Sequence, residues 1–168
     1  MDVAEVLVDG FERVKEVVHE AVRGLSAERL AERLDPGANS IGWLVWHLTR
    51  VQDNHVAEVA EREQVWTAGG WAERFGLPFD VADTGYGHGP EEVAAVVVEA
   101  KSLRGYYDAV HKETLAFVRG LEPADLGRIV DKGWDPPVSL GVRLVSVISD
   151  DLQHAGQAAF VRGVLLRS

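Results

Sequence analysis

Three side chains define the chemistry this sequence can support. His47 stands in the run NSIGWLVWHLTRVQDNH, with Leu44 three residues before it and Val51 four after, so its ring falls on the apolar stripe of a helix. An imidazole on such a face needs a polar partner. Near the C-terminus the run ISDDLQHAGQAAF interrupts a second apolar stripe with Asp150, Asp151, His154 and Gln157. Asp150 and His154 are four residues apart, so both project from one helix face and can close on one ion. Two imidazoles and one carboxylate from two helices have the composition of an open, catalytic zinc site, where water or a substrate atom completes the coordination shell. The same donors suit nickel, iron or manganese, so zinc is only the first expectation. Asp151 is the competing carboxylate. His111 borders another apolar stripe and is a candidate fourth ligand or base, and His88 is a candidate lid residue. Against the metal reading stands a plainer one, in which His47 is a hydrogen-bonded core histidine and Asp150 with His154 an intrahelical pair worth about 0.2–0.5 kcal/mol.

Composition narrows the donors and the partners. The chain has no cysteine, which excludes disulfides, thiolate metal sites, iron–sulfur clusters and cysteine nucleophiles together. Its 17 Lys and Arg against 27 Asp and Glu give a net charge of −10, which repels phosphate backbones and anionic lipid surfaces. Neither nucleic acid nor membrane is an expected partner. The first residues, MDVAEVLVDGFERVKEVVHE, carry charges every few positions and form neither a secretory signal nor a membrane span, so the expected location is the cytoplasm.

The elements that must position these side chains are helical. Val3, Leu7, Phe11, Val14, Val18, Ala21 and Leu25 recur at steps of three and four, which predicts an amphipathic helix over 3–25. A helical turn over 26–34 ends at Asp35-Pro36-Gly37. Ser40, or alternatively Asn39, caps a helix over 41–61 that carries His47. The connection 62–89 holds six glycines and the aromatics Trp66, Trp71, Phe75, Phe79 and Tyr86, with at most a short helix near 70–75. Connections this long usually cover a site or cross the length of a bundle. Gly89-Pro90-Glu91-Glu92 opens a helix predicted to run unbroken over 90–119, since proline suits its first position and two carboxylates favour its positive end. After a connection over 120–138, Ser139 caps a last helix over 140–166. With no alternating strand pattern, the expectation is an all-α four-helix bundle formed by a single domain over 1–168.

The pairing of NSIGWLVWHL early in the chain with DDLQHAGQAAFVRG near its end resembles the DinB-like superfamily of metal-binding four-helix proteins, which includes the N-terminal domain of mycothiol-dependent maleylpyruvate isomerase. The resemblance spans essentially the whole chain. It implies a metal held by His47, Asp150 and His154, with Asp150 standing where many members have a histidine. Gln157 resembles the glutamine that follows the last ligand in the family, and with Asp151 it is a candidate for supporting the ligands or touching a substrate.

What the resemblance implies about activity is a metal-assisted, thiol-dependent transferase or isomerase acting on a small electrophile, with mycothiol or a similar low-molecular-weight thiol as partner. The maleylpyruvate isomerases carry a further C-terminal domain that contributes to their active site, which argues against that particular reaction here. Two other functions fit the same residues. One is a metal-dependent hydrolase using Asp151 or His111 as proton shuttle, and the other is a noncatalytic metal-binding stress protein. A homodimer formed through a helical face is expected.

Overall fold

The computed structural model describes residues 2–167, so the two terminal residues of the expected 1–168 domain lie outside it. Eight helices appear in the order α1 (Val3–Val22), α2 (Ala27–Ala31), α3 (Ile41–Val59), α4 (Val65–Ala68), α5 (Trp71–Phe75), α6 (Pro90–Ala95), α7 (Ala100–Val118) and α8 (Leu140–Leu165). The four long ones, α1, α3, α7 and α8, form the bundle. Around it α3 packs on α8, α8 on α1, α1 on α7 and α7 on α3. The close pairs Gly10 with Ile148 and Arg162 with the Ala21 carbonyl show that α1 and α8 run parallel. His19 with Asp108 and His111 with Glu12 show α7 running against α1.

Local signals account for the helix ends. Ser40 and Ser139 adopt extended backbone and accept from the amides of Trp43 and Val142, which satisfies two of the donors that every helix start leaves unpaired. Asp2 caps α1 in the same way, and Glu5 returns a bond to the Asp2 amide. Buried stripes of each helix then merge into two apolar clusters. One gathers Val18, Leu44, Trp46, Tyr106 and Ala158, and the other Phe11, Val56, Leu115, Leu140 and Leu144.

Two features differ from expectation. The helix predicted over 90–119 is broken, with 96–99 non-helical between α6 and α7. Three successive β-branched valines explain this, because each loses side-chain freedom in a helix. Released from the helix, Val96 and Val98 are buried while Val97 stays exposed. The second difference is a small antiparallel pair, β1 (Ile129–Asp131) with β2 (Val138–Ser139), within the connection that leads to α8. Among the described residues no helix is long and apolar enough to cross a membrane.

Candidate metal centre

Helix α3 is buried almost all round over its first three turns, so His47 enters the interior beside Trp43, Trp46 and Leu48. Its ring stacks on Trp43 with centroids 4.6 Å apart and planes 12° from parallel. Across the groove, α8 presents Asp150 and His154 toward α3, and the His47 and His154 rings meet edge to face at 4.7 Å. The ligand atoms offered by His47, Asp150 and His154 all lie within 4.8 Å of one another, the one such acid or histidine triad among the described residues.

Both imidazoles are oriented by backbone carbonyls. The Nδ1–H of His47 donates to the Thr84 carbonyl at 2.5 Å, and that of His154 to the Asp150 carbonyl one turn back at 2.8 Å. With each Nδ1 engaged, each Nε2 lone pair is left for a cation. Such fixing of the tautomer from outside is the usual support of a histidine ligand. One carboxylate oxygen of Asp150, Oδ2, is buried, and it lies 3.3 Å from His154 Nδ1, out of line for a hydrogen bond. A buried carboxylate with an oxygen outside any hydrogen bond, beside two directed imidazoles, fits a divalent cation.

Electrostatics act differently on the three. Burial holds the His47 ring below the ordinary histidine range, against the pull of the Thr84 carbonyl. The Asp150 carboxylate beside His154 raises the affinity of that ring for a proton. Burial opposes ionisation of Asp150, but the rings of His154, His47 and His55 together outweigh it and hold the carboxyl below its usual value.

The carbonyl that orients His47 belongs to the 76–89 stretch, strapped across α3 by a network the sequence reading did not identify. Trp43 Nε1 donates to His88 Nδ1 at 3.1 Å, and His88 Nε2 meets Asp83 at 3.0 Å. Arg50, fully buried, donates to the carbonyls of Asp83 and Val81, to Gln64 and to the Tyr106 hydroxyl. Asp53 accepts from the amides of Val65 and Trp66 and from Tyr106. Gly85 touches the site directly. With φ at +90° it lets the strap approach so closely that a Cβ there would sit 2.9 Å from His47 Nδ1 and from Trp46. The signal available in the sequence was the glycine spacing in GYGHGP together with charged residues on the inward side of α3.

The remaining candidates fall elsewhere. Asp151 points away from the triad's face, fully buried, and neither of its oxygens has a hydrogen-bond partner. Burial, reinforced by the charge of Asp150, drives its carboxyl well above the usual range. His111 is buried against Glu12 at 3.4 Å and stacks on Tyr107, outside the triad. Gln157 is exposed and makes no hydrogen bond to the triad; it lines a depression with Asn39 and Phe160. His88 is part of the strap rather than a free lid residue. His55 lies half-buried near Arg143.

Among solved structures, the chain is similar to a conserved protein from Enterococcus faecalis, with a TM-score of 0.91 and 30% identity over 100% of this chain and 99% of that one. No match was found among curated proteins. The family model described as mycothiol-S-transferase matches residues 6–166, nearly the full length. By this match over nearly its whole length, and in keeping with its helical bundle, the chain belongs to the mycothiol-S-transferase family, within the DinB-like superfamily.

Proposed function

We propose that this protein binds a divalent cation, zinc first, through His47, Asp150 and His154, and transfers the sulfur of a low-molecular-weight thiol, mycothiol by family, to a small electrophile. The observation that carries this reading is the convergence of three ligand atoms within 4.8 Å, two of them on imidazoles already turned by backbone carbonyls. Bound there, a divalent ion supplies Lewis acidity that favours the thiolate over the thiol at neutral pH. The chain's own residues do the rest. Trp43 and the Thr84 carbonyl hold His47 in one orientation, and α8 keeps Asp150 and His154 at a fixed spacing. In the transfer, the thiol S–H loses its proton to water at the mouth of the groove. A carbon–sulfur bond then forms to the electrophilic carbon, and the leaving group departs with its bonding pair. The expected setting is the cytoplasm.

The hydrolase reading loses its proposed shuttles, because Asp151 is sealed in the core and His111 sits against Glu12. The test is metal content and thiol conjugation together. Protein purified without a histidine tag should contain close to one divalent ion per chain and conjugate mycothiol to a chromogenic electrophile. His47→Gln and His154→Gln should lose both while retaining their helical circular dichroism. A wild-type rate no higher than that of a folded His47→Gln variant would overturn the assignment.

A further inference from the structure

We propose that the hollow between the end of α1 and the start of α7 is a binding site for a small organic dianion, a phosphate monoester first, separate from the metal centre. In the order of packing around the bundle, the α1–α7 seam lies across from the α3–α8 seam that holds His47, Asp150 and His154. Here it opens into a cavity of about 370 Å³, within the size range of sites for small organic molecules. Val22 and Ala100 give the cavity an apolar surface, and Arg23, Lys101 and Arg104 give it three cations.

The local charge runs against that of the chain. Over the whole sequence 27 carboxylates outnumber 17 Lys and Arg, so most of the surface repels anions. In this cavity three cations face one carboxylate, Asp108, and that carboxylate is engaged by His19 at 2.6 Å. Lys101 and Arg104 stand three residues apart on the exposed side of α7, and among the described residues neither has a hydrogen-bond or ion-pair partner. Like charges at that spacing repel, and an anion held between them relieves the repulsion. Arg23 commits one nitrogen to Glu20, which leaves the other donors of its planar fork for a ligand. The carbonyls that close α1 are satisfied within the fold: Glu20 by the Arg23 amide, Ala21 by the Arg162 side chain and Val22 by the Leu25 amide. Three cations and one engaged carboxylate match a ligand carrying two negative charges. A phosphate monoester gathers both on one tetrahedral group, which arginine forks recognise with paired hydrogen bonds, and its organic part can lie on Val22 and Ala100. A dicarboxylate carries the same charge spread over two groups.

Calorimetric titration of the zinc-loaded protein at low salt with phenyl phosphate, succinate and phenol compares the chemistries. Phenyl phosphate should bind once per chain and at least about fivefold more tightly than succinate, and phenol should not bind. Lys101→Gln and Arg104→Gln should each weaken phenyl phosphate binding about tenfold, the loss expected for one charged hydrogen bond. Lys112→Gln makes the same change in net charge about two turns farther along α7 and should leave binding unchanged. All three exposed-site variants should keep wild-type circular dichroism, zinc content and thiol conjugation, because the hollow lies across the bundle from the triad. A folded His47→Gln variant should bind phenyl phosphate as the wild type does. Succinate binding as tight as phenyl phosphate would keep a dianion site and overturn the phosphate assignment. No binding of either anion, or equal weakening by Lys112→Gln, would overturn the site and leave the metal centre and thiol transfer standing. Binding lost in His47→Gln but kept in Arg104→Gln would place the anion on the metal and overturn the site as well.

Discussion

Gly85→Ala is the sharpest probe of how His47 is held. Two penalties combine at this position. An alanine would have to keep φ at +90°, which costs an L-residue about 1–2 kcal/mol. Its Cβ would also stand 2.9 Å from His47 Nδ1, 2.9 Å from Trp46 and 3.2 Å from Trp43. All three neighbours are rigid rings packed in the interior, so overpacking adds about 1–3 kcal/mol. The chain can relieve about 2–5 kcal/mol of strain only by moving the ring or by lifting the strap. Either movement breaks the bond from Nδ1 to the Thr84 carbonyl, and loss of such support typically lowers metal affinity about 10–100-fold. Competition titration of zinc against a chromophoric chelator measures that loss, and thermal denaturation measures the strain, expected near 6–12 °C for about 3 kcal/mol. Gly87→Ala is the matched control. Its φ is +78° with no neighbour within 4 Å of the added carbon, so it carries the backbone penalty alone and should keep its zinc affinity. Equal zinc affinity in the two variants would refute the argument that the strap positions His47.

The two adjacent acids should separate cleanly. Asp150→Asn should lower zinc affinity more than about 100-fold, whereas Asp151→Asn should leave it unchanged and raise the urea midpoint at pH 8, since the fold resists ionising the buried Asp151 carboxyl that the unfolded chain ionises freely; the opposite pattern would assign the ligand to Asp151. His111 should contribute to acid sensitivity. Burial holds its folded-state affinity for a proton below the ordinary value of 6.5, despite the opposing pull of Glu12. The unfolded chain therefore takes up that proton first, and stability that is full above about pH 6.5 is lost as pH falls below it. Urea midpoints between pH 7.5 and 5.5 should fall less steeply in His111→Gln than in wild type, and equal slopes would refute the assignment.

Much of this arrangement was legible in the sequence because it rests on periodicity. The four long helices, the caps Ser40 and Ser139, and the common face of Asp150 and His154 follow from three- and four-residue spacing. The same spacing distinguishes the adjacent acids, since a step of one residue turns the side chain about 100° around the helix and carries Asp151 from the groove into the core. The break at 96–99 is not legible in the sequence, because proline, glutamates and apolar steps favour a helix over the whole segment, while the three valines that interrupt it keep an apolar pattern in either conformation. The strap was illegible for a different reason. Its contact with His47 is made by a main-chain carbonyl, which any residue at position 84 would present, and only the glycine beside it leaves a trace.

The ordering of the 62–89 connection is what converts a histidine on an apolar face into a directed donor. Without the Thr84 carbonyl, the His47 ring would be a buried imidazole with two nitrogens to satisfy and no reason to prefer one tautomer. The carbonyl stays in place because α3 itself fixes the strap. Arg50, less than one turn after His47, spreads its guanidinium between the Val81 and Asp83 carbonyls on one side and Gln64 with Tyr106 on the other. That fork is a geometry lysine cannot reproduce. Trp43, one turn before His47, both stacks on the ring and anchors His88. The same helix therefore carries His47 and, on either side of it, the residues that hold its orienting carbonyl, so the direction of the His47 ring is set by α3 and its strap.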